Sequence, residues 1–373
     1  MDDANSRHPH VKADGSSVRA SDAGRRDALL ARVAIRPSED EWAAWLRQCP
    51  DLEGLSPTEL RLLPLVWTQL AAAGVALSPD LAGRLKGLHR KMWYHNKVRL
   101  QWAGAVQQRL AEAGIDALIF KGMQLLDLWG WDPGTRPTRD VDVWVRPGQF
   151  DWALGLMKSW PSMTVKATDL HSTTFTFDGV HSLDLHRMPH HLGGRVDNDR
   201  RFDAAFAQPG DRTQAMALLL ANAFVNDAPD QFVGLYTLVD WHRSGVAWSA
   251  VEPMIAAEGL RPVVAAHLAQ FPSVVAASPL LKDAELALQD RKRWTPAERA
   301  MAAAIEEWRR VRASDPPWTF HHWRWALQGV PLWRRDLRSV RDMLAQARAE
   351  GVSPLPFILH YRSRRRKQRP CRG

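Results

Sequence analysis

Apolar positions along the chain recur at two spacings, and the switches between them divide the sequence into segments. Val141, Val143 and Val145 alternate with Asp140, Asp142 and Trp144, the period of a strand that buries one face. Leu183 and Leu185 alternate with Asp184 and His186 in the same way. A further strand-like run covers residues 173–177, and Asp178-Gly179 before His181 is a hairpin signal. Residues 116–120 form a short apolar run of strand length, closed by Lys121-Gly122. Elsewhere the spacing is helical. Residues 123–129 have helical character until Gly130, Pro133 and Gly134, and a helix over 150–159 follows Pro147-Gly148. Ser56-Pro-Thr-Glu59 is a capping box that opens a helix ending near Gly74. Ser78-Pro79-Asp80 opens a long helical stretch reaching Gly114, which delivers the chain into residues 116–120. Helical patterns return over 212–226, 230–245 and 248–259, and Thr295-Pro-Ala-Glu298 caps another to about residue 312. A Trp-rich stretch, 318–333, precedes a last helical pattern at about 337–351.

This order predicts an α+β fold. A small mixed-sheet core over 115–207 is flanked by an N-terminal helical region over 27–114 and a C-terminal one over 208–360. Residues 1–26 are polar and aperiodic and read as disordered. Eighteen tryptophans are expected to fill the core and the helix seams. The two cysteines, Cys49 and Cys371, are far apart and imply neither a disulfide framework nor a zinc site. The N-terminus lacks an apolar leader and no apolar run reaches membrane-spanning length, so a cytoplasmic location is expected. The net charge of +9 resembles a nucleic-acid signal until it is located: residues 361–373 carry seven Lys or Arg and no acid. The expected role of this basic tail is a solvated, disordered end or a tether to nucleic acid or an anionic surface.

Asp140 and Asp142 leave the same face of one strand, in a residue class that strands disfavour. Two such carboxylates repel unless a cation sits between them. A pair of Mg²⁺ ions holding a nucleoside triphosphate is the common solution in phosphoryl-transfer sites. The hairpin would bring Asp184 beside them as a third carboxylate, with Asp178 and Asp169 as neighbouring alternatives. His181, His186, His190 and His191 invite a zinc reading, but Pro189 interrupts the helical spacing of His186 and His190. His186 instead reads either as an orienting histidine beside Asp184 or as a structural one.

Lys121-Gly122, Arg136 with Asp140-Val141-Asp142, and Asp184-Leu185-His186 together resemble a poorly characterised bacterial branch of the polymerase-β-type nucleotidyltransferases. The pattern is K-G, then R-x-x-x-D-x-D, then D-L-H. The likeness spans roughly residues 60–260. It implies an enzyme that moves an NMP from an NTP, such as ATP, to an acceptor hydroxyl or phosphate and releases pyrophosphate. Asp140 and Asp142 would bridge two Mg²⁺ ions (Mn²⁺ being the alternative), and Asp184 would ligate the second ion and accept the proton. Lys121, Arg136 and Arg139 are the cations for the phosphates, with Arg139 pointing away from the carboxylate face. Gly122 would allow close backbone approach, and the amides opening the helix at Met123 would hold phosphate oxygens. Met123 stands where the superfamily usually has Ser or Gly. The acceptor is left open among small molecule, peptide, protein and RNA. The alternative is a catalytically idle module of this fold whose tail binds nucleic acid.

Overall fold

The computed structural model describes residues 16–306 apart from 50–53, 169–171, 178, 180, 190–194, 227–230, 297, 300 and 304. Four helices come first: α1 (Ser16–Ile35), α2 (Glu39–Gln48), α3 (Pro57–Ala72) and α4 (Pro79–Glu112). The sheet section contains β1 (Ala117–Ile119), α5 (Lys121–Asp127), β2 (Asp140–Val145), α6 (Phe150–Lys158), β3 (Met163–Thr168), β4 (Ser172–Phe177) and β5 (His181–His186). Then come α7 (Arg195–Ala207), α8 (Arg212–Asn226), α9 (Gln231–Ser244), α10 (Trp248–Ala257), α11 (Arg261–Gln270), α12 (Pro272–Ala277) and α13 (Pro279–Gln289). The fold is therefore α+β. Helix α1 begins at Ser16, inside the stretch expected to lack structure. The Trp-rich stretch, the helical pattern at 337–351, the basic tail and residues 1–15 lie outside the described residues.

Local chemistry explains the helix starts. Glu59 N donates to Ser56 Oγ and Ser56 N donates to Glu59 Oε2, so both halves of the first capping box are made. Thr295 and Glu298 exchange the same pair of bonds.

The sheet runs β1-β2-β5-β4-β3, with β2 and β5 parallel and the other pairs antiparallel. The parallel pair places Asp142 directly opposite Asp184. The alternation in β2 and β5 sorts the side chains. Val141, Val143, Val145, Leu183 and Leu185 enter a core with Ala103, Val106 and Leu110 of α4 and Phe150, Ala153 and Met157 of α6. Asp140, Asp142, Ser182 and Asp184 take the other face, which Trp144, Phe120, Leu118 and Phe202 of α7 close at one end. A second core joins α1–α3 with α8–α13, around Leu62, Trp45, Leu220, Trp241 and Leu281. Tryptophans do fill these interiors, with Trp45, Trp144 and Trp241 fully buried; Trp93 and Trp152 are exposed. Among the described residues, no helix is long and apolar enough to cross a membrane.

Candidate metal centre

The centre is built on the two parallel strands and the turn that leaves β1. Register puts Asp142 and Asp184 side by side, and His186 lies two residues further along β5 on the same face. One ligand atom each from Asp142, Asp184 and His186 lie within 4.8 Å of one another. Asp140 opens β2 on that face, two residues before Asp142, and is partly buried. Asp178, Asp169, His190 and His191 lie outside the described residues.

Lys121 reaches this group from a strained turn. Its φ is 55°, in the left-handed region where a residue with a Cβ pays a steric penalty of about 1 kcal/mol. That turn takes the chain from β1 into α5 and aims the side chain back across the sheet. Lys121 Nζ lies 2.6 Å from Asp142 Oδ1 and 3.3 Å from His186 Nε2. His186 Nε2 in turn lies 2.8 Å from the same Asp142 Oδ1. The imidazole is buried and meets the Phe120 ring edge-on at 5.0 Å.

The charges respond to these contacts. Burial alone would push the Asp142 carboxyl up, but Lys121 and His186 outweigh it and hold it at about 2. Burial, then the charges of Asp142 and Asp184, push Asp140 up to about 7. Burial and the nearby Lys121 ammonium hold the His186 imidazole below its usual range. A buried oxygen of Asp184, Oδ1, has no hydrogen-bond partner among the described residues. An unpartnered carboxylate oxygen facing a second carboxylate and an imidazole fits a bound cation.

The remaining predicted residues are placed as follows. Gly122 is the point where Arg136 crosses the turn: a Cβ there would lie 2.0 Å from Arg136 Nη1. Arg136 is buried, and its Nε donates to Asp240 Oδ2 of α9 at 2.8 Å. Its guanidinium is thus engaged with α9 and the turn. Met123 packs into the sheet core with Leu126. Arg139 is exposed at the entry to β2.

Three positions escaped the sequence reading or were undervalued by it. Asn96 of α4 donates to the carbonyls of Pro133 and Arg136, both at 2.6 Å, and accepts from Thr138 Oγ1, which fixes the approach to β2. Arg99, one turn further on, is near enough to Asp140 for the two charges to interact. Asp240 of α9 is the counter-ion of Arg136. Asn96 and Arg99 sit in an ordinary polar-rich helix, so nothing local marks them.

Residues 58–243, about half of the chain, match the family described as "Uncharacterised nucleotidyltransferase". This part of the chain belongs to that family, and the match runs from α3 through the whole sheet to α9, taking in every residue of the centre. No curated protein and no solved structure matches the chain.

Proposed function

We propose that the protein is a metal-dependent nucleotidyltransferase that moves an NMP from an NTP to an acceptor and releases pyrophosphate. The observation that carries this reading is the in-register pair Asp142 and Asp184, with an Asp184 oxygen unpartnered among the described residues, inside the family region. Asp140, Asp142 and Asp184 are the residues that would hold divalent ions, of which Mg²⁺ and Mn²⁺ are the candidates. When bound, such ions supply positive charge for the triphosphate and lower the pKa of an acceptor hydroxyl.

The chain's own residues do the rest. Asp142 and Asp184 fix where the triphosphate must sit, on the polar face of the sheet. In the transfer the acceptor oxygen bonds to the α-phosphorus, the α–β bridging P–O bond breaks in line, and Asp184 takes the acceptor's proton. Lys121 would leave Asp142 for the phosphate oxygens, since a cation on the carboxylates removes its counter-ion. The buried Arg136–Asp240 pair keeps the turn that carries Lys121 in place. Arg139, exposed at the entry to β2, is the further candidate cation for a phosphate. The acceptor is an alcohol or phosphate of unassigned class.

The test is thermal shift and pyrophosphate release with each of the four NTPs, with Mg²⁺ or Mn²⁺, against pooled acceptors. One NTP should raise the melting temperature only with the ion present. Asp142→Asn and Asp184→Asn should each abolish that rise and lower turnover by about 100-fold or more. No shift with any NTP–metal pair would leave the idle-module reading in its place.

A further inference from the structure

His186 reaches the centre as well placed as the carboxylates do. Its backbone is gripped on both sides, opposite Trp144 of β2 and opposite Ser172 of β4. Its ring is buried and set edge-on against Phe120, so Nε2 stays aimed at Asp142 Oδ1.

Asp142 Oδ1 is shared by two nitrogens, Lys121 Nζ at 2.6 Å and His186 Nε2 at 2.8 Å. If Nε2 carries hydrogen, both nitrogens donate to that oxygen and stand 3.3 Å apart. If Nε2 carries its lone pair, it accepts from Lys121 but faces the carboxylate oxygen at 2.8 Å. A metal ion in the place the ammonium takes would favour this second tautomer, because both Oδ1 and the Nε2 lone pair would then be donors to one cation. Asp184 Oδ1, which has no hydrogen-bond partner among the described residues, would supply the third ligand.

We propose that His186 Nε2 is a direct ligand of the ion held by Asp142 and Asp184, and that the centre therefore prefers a borderline ion such as Mn²⁺ to Mg²⁺. The proposal rests on the metal-dependent reading above and deepens it. Mg²⁺ keeps an all-oxygen octahedron and exchanges it reluctantly for nitrogen. Mn²⁺ accepts carboxylates equally well and tolerates imidazole, so one nitrogen in a mixed set shifts the balance toward it. Lys121 would act as the centre's internal cation and yield its place when the ion enters.

The experiment titrates the full chain with Mn²⁺, reading free ion by electron paramagnetic resonance, and repeats the titration in competition with Mg²⁺. Pulsed resonance on the bound Mn²⁺ then looks for nitrogen-14 coupling. The wild type should bind Mn²⁺ about tenfold or more tighter than Mg²⁺ and show the coupling. His186→Gln, checked for an unchanged melting profile, should lose the coupling and bring the two affinities together. Mn²⁺ binding that Asp142→Asn removes, but without nitrogen coupling, would overturn the ligand assignment while leaving the metal-dependent reading intact. The same result follows if His186→Gln keeps the wild-type preference. No saturable binding of either ion would overturn both.

Discussion

At Gly122 the chain carries no side chain, and the space a Cβ would fill is taken by the Arg136 guanidinium, 2.0 Å from Nη1. Because Arg136 is held by Asp240, it cannot swing aside without breaking a buried ion pair. Gly122→Ala should therefore cost about 3 kcal/mol of stability, measured by urea unfolding. In an Arg136→Met background, whose flexible thioether can yield, the same change should cost less than about 1 kcal/mol. An equal cost in both backgrounds would mean that the glycine serves the turn itself and not the arginine. The two aspartates of β2 illustrate how one strand face can hold opposite electrostatic environments. Read as a bare pair they should repel. Lys121 and His186 instead hold Asp142 ionised, while Asp140 absorbs the repulsion and is raised to about 7.

Between elements, the clearest electrostatic conflict lies where α1 meets the N-terminus of α3. Glu59 closes the capping box of α3, is fully buried, and binds Arg26 of α1 through both oxygens at 3.0 and 3.1 Å. Asp27 sits beside it and accepts from Ser56 Oγ at 2.9 Å. Burial, partly offset by the Ser56 bond, together with the charge of Glu59 raises Asp27 to about 6. The folded chain thus binds a proton here more tightly than the unfolded chain, whose carboxyl titrates near 3.9. Stability from this group is greatest below about pH 4, falls as pH rises to about 6, and is level above. Asp27→Asn should gain up to about 2 kcal/mol over the wild type above pH 6 and match it near pH 4, by melts across that range. A pH-independent difference would remove the linkage. Elements whose signals are local were legible in sequence. The two capping boxes, the alternation of β2 and β5, and the hairpin at Gly179, whose φ of 67° favours glycine, all depend on neighbours in the chain. Strand β3 and helix α7 were not. Met163 is the only buried residue of β3, so no alternation marks it. The sequence of α7 is dominated by charge, with Phe202 and Ala205 as its contribution to the small core over β1.

At the scale of the molecule, the sheet and the helical body are joined by a buried ion pair between residues 104 positions apart in sequence, Arg136 before β2 and Asp240 on α9. Around it, Arg243 of α9 donates to Thr135 Oγ1, Tyr236 donates to the Thr135 carbonyl, and the Arg243 guanidinium lies 4.1 Å from the centre of the Trp131 ring. Burial pushes the Asp240 carboxyl up against the opposing pull of Arg136 and Arg243, so its charge depends on both arginines. No periodicity could have disclosed this pair, since each member looks locally like a surface residue and only the tertiary fold buries it. A helix that anchors the turn bearing Lys121 gives the helical body a hold on the metal centre. Asp240→Leu alone strands Arg136 uncompensated in the interior and should cost about 3–5 kcal/mol in chemical unfolding. Arg136→Met alone should cost a similar amount by stranding Asp240. The double variant replaces the pair with apolar volume, so its cost should fall well short of the sum, giving a coupling energy above about 1 kcal/mol. Additive losses would mean that each charge is stabilised independently. The helical body would then support the centre by packing alone, through Leu125 and Trp129 at the α5 side of the helical core.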